Sequence, residues 1–174
     1  MFTIKSYIQH PKRPIKDFVK VNKDPLYYFI DIDNTKEILS IKKNLDLYYI
    51  YGVLYMCYNN QTIINFTNYD LIDHLWAYLL NMTEEFLQSK KSEMYFPDQP
   101  LPMSMKNSSD NYILFSINYV QWKLPKYEFL STLIHHAKIF FEKMILLIEE
   151  KSNIYQKQLQ KIKFLELKIK FLKK

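Results

Sequence analysis

In 174 residues this chain has a single glycine, Gly52, two alanines, one arginine (Arg13) and one cysteine, Cys57. A lone cysteine excludes an internal disulfide and a cysteine-rich metal site. No apolar run approaches the roughly 18 residues that span a bilayer; the longest, over 139–148, is broken by Glu142 and Lys143. The opening residues Met1, Phe2, Thr3, Ile4 and Lys5 lack the basic segment and following apolar stretch of a signal peptide. A cytoplasmic location is therefore expected, and the sequons at Asn65, Asn81 and Asn107 read as chance. Scarce Gly, Ala and Arg beside abundant Lys, Asn, Ile and Tyr point to AT-rich coding, so a lysine cluster alone does not define a binding patch.

What is present is material for a core. The chain is 48% hydrophobic and 17% aromatic, which excludes whole-chain disorder, and its length suits one domain of about 100–200 residues. Charge is unevenly placed. Residues 151–174 hold eight lysines and one glutamate, a net +7, whereas the other 150 residues hold 16 Lys+Arg against 17 Asp+Glu, a net −1. The basic character belongs to a tail on a nearly neutral body.

Periodicity supplies the elements. Residues 2–8 alternate weakly and fit a short edge strand; 10–25, with three prolines, read as an irregular connector. Residues 26–32, 36–42 and 47–58 read as strands, rich in aromatic and β-branched residues. Asn59 and Asn60 then form a two-residue turn into a strand over 61–66, because Asn tolerates positive φ. A helix capped by Asn68 or Asp70 follows, with Leu71, Ile72, Leu75, Trp76, Leu79, Met82 and Phe86 at helical spacing. Residues 97–100 make a turn, 101–105 and 112–120 a second hairpin, and Pro125 opens a second long helix over Leu130, Leu133, Ile134, Ala137, Phe140, Phe141, Met144 and Leu147. The tail fits both a helical stripe (Ile162, Leu165, Ile169, Leu172) and strand alternation over 165–171; its Leu, Glu, Lys and Gln favour helix. The expected fold is α+β: an antiparallel or mixed sheet of about five to six strands packed against two long helices. Residues 1–150 form a single α+β domain and 151–174 a basic C-terminal helical extension.

Few residues offer chemistry. The run Phe29-Ile30-Asp31-Ile32-Asp33-Asn34-Thr35 resembles the first motif of haloacid-dehalogenase-like phosphatases. That likeness implies Asp31 as nucleophile, Asp33 as acid/base and a Mg²⁺ ion between carboxylates. The distal acidic motif and the βαβ alternation of that family are missing, so the residues alone read as a strand end leading into a turn. Asp70 and His74 are spaced i, i+4 on the first long helix, and His135 and His136 sit on the second; facing helices can build a metal site. Adjacent histidines diverge by about 100° on a helix, and the His-Glu-x-x-His pattern is absent. Cys57 lies in an apolar strand with no nearby cation to activate it, and Glu84–Glu85 and Glu149–Glu150 read as solvated pairs. The tail lacks arginine for bidentate base contacts, which disfavours nucleic acid. It leaves a membrane-surface helix, a self-associating helix giving a homo-oligomer, or an adaptor helix docking on another chain.

Two stretches carry a second resemblance: Tyr69-Asp70-Leu71-Ile72-Asp73-His74-Leu75-Trp76-Ala77-Tyr78-Leu79-Leu80-Asn81, and Tyr95-Phe96-Pro97-Asp98-Gln99-Pro100 with the later Leu124-Pro125-Lys126-Tyr127-Glu128-Phe129-Leu130. Together, over residues 45–145, they look like small bacterial immunity proteins of the polymorphic toxin type. The resemblance implies a non-catalytic protein, without cofactor, that blocks a toxin partner by binding it. The 15 tyrosines suit such an interface. Trp76 is expected in the core and Trp122 at a surface. The neutral body does not mark the partner as a basic nuclease.

Overall fold

A computed structural model describes residues 1–172, leaving Lys173 and Lys174 of the basic tail outside the described residues. Strand β1 (Phe2–Gln9) sends Ile4 and Ile8 inward and Thr3 and Lys5 outward, the period-2 pattern of a half-covered strand. It is not an edge strand, as its weak alternation suggests, but lies between β2 (Phe29–Asp31) and β3 (Tyr51–Tyr58). The register pairs Tyr7 with Asp31 on one side and Phe2 with Tyr58 on the other. β4 (Gln61–Ile64) follows β3 through Asn59 and Asn60, whose φ of 46° and 65° bear out the Asn-Asn turn. The two-residue β5 (Asp70–Leu71) pairs with the start of β3, Gly52 opposite Asp70. A Cβ on Gly52 would meet the Tyr7 carbonyl oxygen at 2.1 Å, so here glycine serves close approach.

Three segments differ from their sequence reading. The connector contains α1 (Phe18–Lys23), capped by Asp17, whose carboxylate accepts the Val19 N–H. The expected strand over 26–32 begins instead as the short helix α2 (Pro25–Tyr28) before β2. Asp24 caps it and Pro25 takes the first helical position, where its missing N–H costs nothing. The expected strand over 36–42 is helix α3 (Thr35–Ile41). Asn34 Oδ1 accepts the Glu37 N–H at 3.3 Å, an N-cap bond of the kind that starts helices, and its Nδ2 donates to Glu37 Oε2 at 2.6 Å.

Helix α4 (Ile72–Ser89) buries Leu75, Trp76, Leu79, Leu80 and Phe86; the Trp76 Nε1–H donates to Ser6 Oγ of β1 at 3.0 Å. Neither Asn68 nor Asp70 caps it: Leu71 occupies the N-cap without a side-chain bond. The helix ends at Lys90, left-handed at φ 64°, whose N–H donates to the Phe86 carbonyl. A second antiparallel sheet then runs in order: β6 (Lys91–Tyr95), β7 (Pro102–Asn107), β8 (Tyr112–Ile117) and β9 (Val120–Pro125). β8 and β9 are joined by Asn118 and Tyr119, both left-handed at φ 47° and 67°. The α+β class holds, and the strands form two antiparallel sheets, of five and four strands, rather than one.

Helix α5 (Lys126–Leu147) packs on β1 of the first sheet and on β8 and β9 of the second. α4 touches β3 and β5 of the first sheet and β6 and β7 of the second. One buried cluster runs through both sheets and these helices. The tail is helical as read: α6 (Ser152–Lys170) turns back along α5 and α4, adding Tyr155, Ile162, Leu165 and Ile169 to that cluster. No helix of the described residues is long and apolar enough to cross a membrane.

Candidate binding face

The sequence candidates for catalysis are drawn into structural pairs. Asp31, at the end of β2, accepts the Asp33 N–H on Oδ1 at 3.0 Å and the Lys5 ammonium on Oδ2 at 3.2 Å; that bond holds the Lys5 pKa above its ordinary value. Asp33 pairs with Lys143 of α5. Every strand pairing among the described residues is antiparallel, so the Asp-x-Asp-x-Thr run sits at a strand end followed by a helix cap.

The histidines are dispersed. His74 is exposed, and the rings of His135 and His136 lie 5.4 Å apart on α5. Burial, aided by His135, lowers the His136 pKa. No group of three potential metal ligands gathers among the described residues. Glu84 pairs with Lys161 of α6 at 2.7 Å and Glu150 with Lys42 at 3.1 Å, so one member of each acidic pair ties elements together. Cys57 is half-buried. Trp122, expected at a surface, is half-buried against the core.

The two stretches quoted for the immunity-type resemblance meet in space. Asp70 is fully buried, and its carboxylate accepts the backbone N–H of Asp98 at 3.0 and 3.2 Å and of Gln99 at 3.0 Å. It also accepts the N–H of Leu71 at 2.6 Å. Gln99 Nε2 donates back to the Tyr69 carbonyl. Burial raises the Asp70 pKa, and these N–H groups pull it back down. The turn over 97–100, 28 residues away in sequence, is thereby fixed to the first sheet.

On this anchored junction stands an aromatic surface. Tyr51 donates its hydroxyl to Asp98 Oδ2 at 2.6 Å, which pushes its pKa up to about 12. Its ring centroid lies 6.2 Å from that of Tyr69, and Tyr69 lies 6.3 Å from Phe18 of α1. Inward from these, Tyr7, Phe29 and Val53 form a second buried cluster on the outer face of the first sheet, with Tyr55 and Phe66 packed against it. Tyr51 and the exposed Tyr49 line a groove of about 440 Å³ with Gln9, Pro11, Leu45 and Asp46. Phe18, beside Tyr69, and Tyr49, in the groove, are both exposed. Such a face offers large ring area, a polar rim and an anchored backbone, the features of a protein-binding surface. The abundance of tyrosine is visible in the sequence; Asp70 as the anchor is not, since two of its three amide partners, Asp98 and Gln99, come from another part of the chain.

The fold and this face define an α+β chain of two antiparallel sheets with an aromatic surface where the sheets join. No protein-family model, curated protein or solved structure matches it.

Proposed function

We propose that this chain is a non-catalytic immunity-type protein of the cytoplasm that neutralises a protein toxin by binding it through the aromatic face around Tyr49 and Tyr51. The observation that carries the reading is the junction at Asp70. The two stretches that resemble immunity proteins are joined there by buried hydrogen bonds, beside the half-buried Tyr51 and Tyr69. Inhibition by covering needs a rigid, aromatic-rich surface, because a few buried rings dominate interface energetics. Asp31 and Asp33, the carboxylates an enzymatic reading would use, are each held by a lysine.

The test is co-expression with toxin domains encoded beside the gene, scored as growth rescue. Rescue is expected, and the combined change Tyr49→Ala and Phe18→Ala weakens binding about tenfold or more, in keeping with loss of interface hot spots. Circular dichroism should remain native, since both side chains are exposed. Failure of every neighbouring toxin domain to be neutralised overturns the reading.

A further inference from the structure

The outward face of α6 has an arrangement that the packing of the body does not require. Its inward stripe is Tyr155, Ile162, Leu165 and Ile169. At 100° per residue, Phe164, Leu167 and Phe171 fall on the opposite side, a second apolar line exposed by 45%, 59% and 75%. Lys157 and Lys168 flank this line on one side, and Lys163 and Lys170 on the other. None of these four lysines forms an ion pair among the described residues. Lys168 lies over the Phe164 ring, 4.3 Å from its centroid. The opposite charge has been sorted away: Glu166, the only acid of the helix, turns toward α5, where Lys138 meets it at 3.6 Å. Lys161 also turns inward, to Glu84 and Asn81.

We propose that α6 is a membrane-surface docking helix, which lays Phe164, Leu167 and Phe171 into the interface of an anionic bilayer while the flanking lysines reach its headgroups. Long lysine stems run alongside apolar surface and keep their ammonium groups in the polar layer. A helix with an apolar line between two cationic rows lies in the interface plane. It does not cross, in keeping with its length and charge. The charge asymmetry between tail and body orients the molecule, because Lys157, Lys163, Lys168 and Lys170 face the negative surface while Lys151 and Lys161 stay paired inward, and the body, at −1, is not drawn to it. Other occupants fit less well. A second copy pairing strip to strip would bring four rows of lysine together. A line of three side chains on a convex helix falls far short of the roughly 1,200–2,000 Å² that a stable protein interface buries. This proposal stands apart from the toxin-binding reading, which uses the first sheet.

The experiment is sedimentation of the full chain with phosphatidylcholine vesicles, with and without phosphatidylglycerol. Binding is expected only to the anionic vesicles and should weaken as salt screens the lysines. Charge reversal at Lys157, Lys163, Lys168 and Lys170 abolishes it, and Phe164→Ser, Leu167→Ser and Phe171→Ser together reduce it about tenfold or more at low salt. All these side chains are outside the core, and native circular dichroism of each variant confirms that folding is intact. Four results overturn the proposal: no binding by the wild type, equal binding to neutral vesicles, indifference to both sets of changes, or a salt-resistant oligomer that the serine changes dissolve.

Discussion

Replacing Lys151 with methionine tests how the tail helix is held. Lys151 Nζ lies 2.6 Å from Asp73 Oδ2, with side-chain exposures of 13% and 4%, and the Tyr155 hydroxyl donates to the same oxygen at 3.1 Å. Burial, and then the nearby Asp73 carboxylate, drive the Tyr155 pKa strongly upward. Methionine keeps most of the lysine stem and its packing while removing the charge, so the buried Asp73 carboxyl keeps only one hydroxyl and the His74 N–H at 3.1 Å. Breaking a buried pair by removing one partner costs about 3–5 kcal/mol, and the remaining bonds and the slight exposure of Lys151 place this case near 3 kcal/mol. For a chain of this size each kcal/mol moves Tm by about 2–4 °C, so a fall of about 6–12 °C is expected in a thermal scan, with a matching drop in the urea midpoint. Adding Asp73→Asn removes the carboxyl that has lost its lysine but preserves an acceptor for Tyr155, and should restore about half of the loss or more. A Lys151→Met variant within about 0.5 kcal/mol of wild type refutes the reasoning, as does a double variant whose loss equals the sum of the two single ones.

Three further outcomes follow from close contacts. Gly52→Ala drives a methyl group into the Tyr7 carbonyl and to 3.0 Å from Ile72 Cβ and Cγ2; because the first obstacle is backbone, a loss of about 2–3 kcal/mol is expected by urea denaturation, and an unchanged midpoint would contradict it. Asp70→Ala strands the N–H groups of Asp98 and Gln99 at a cost of about 2 kcal/mol or more, and their amide hydrogen exchange should speed up relative to the rest of the second sheet; unchanged protection there would count against the anchor. Tyr51 should titrate near 12, read as the absorbance difference between wild type and Tyr51→Phe. Asp98→Asn should return it toward the ordinary 10.0. The native phenol holds its proton over the window from 10.0 to about 12, whereas the unfolded chain has released it. Stability from this bond is therefore present below 10.0 and lost as pH rises through about 12. A Tyr51 that ionises with the exposed tyrosines would exclude the bond to Asp98.

Residues with strong local signals were readable from sequence alone. Asn59-Asn60 fixed its hairpin because both positions need positive φ, and the long runs of α4 and α5 show the helical period over several turns. Over residues 26–32 and 36–42 the Tyr, Phe and Ile side chains favour strands, but the caps at Asp24 and Asn34 start helices within a few residues. β9 was hidden because Asn118-Tyr119 is an unexpected left-handed turn, and β6 because it follows α4 after a single residue, Lys90. The acidic residues were legible as types but not as partners. Whether Asp31, Asp33, Asp70 or Asp73 binds a lysine, an amide or a metal depends on Lys5, Lys143, Gln99 and Lys151, which only the fold brings near.

The left-handed positions carry a consequence for engineering. Five residues with positive φ are asparagine, lysine or tyrosine, and the chain's one glycine is not among them. Asparagine tolerates that conformation, but Lys90 and Tyr119 hold it against their own Cβ, at a cost on the order of 1 kcal/mol each. Small strains thus sit at a helix end and a hairpin tip that glycine would relieve. The molecule holds a reserve of stability at two turns, open to substitution without touching core, anchor or face.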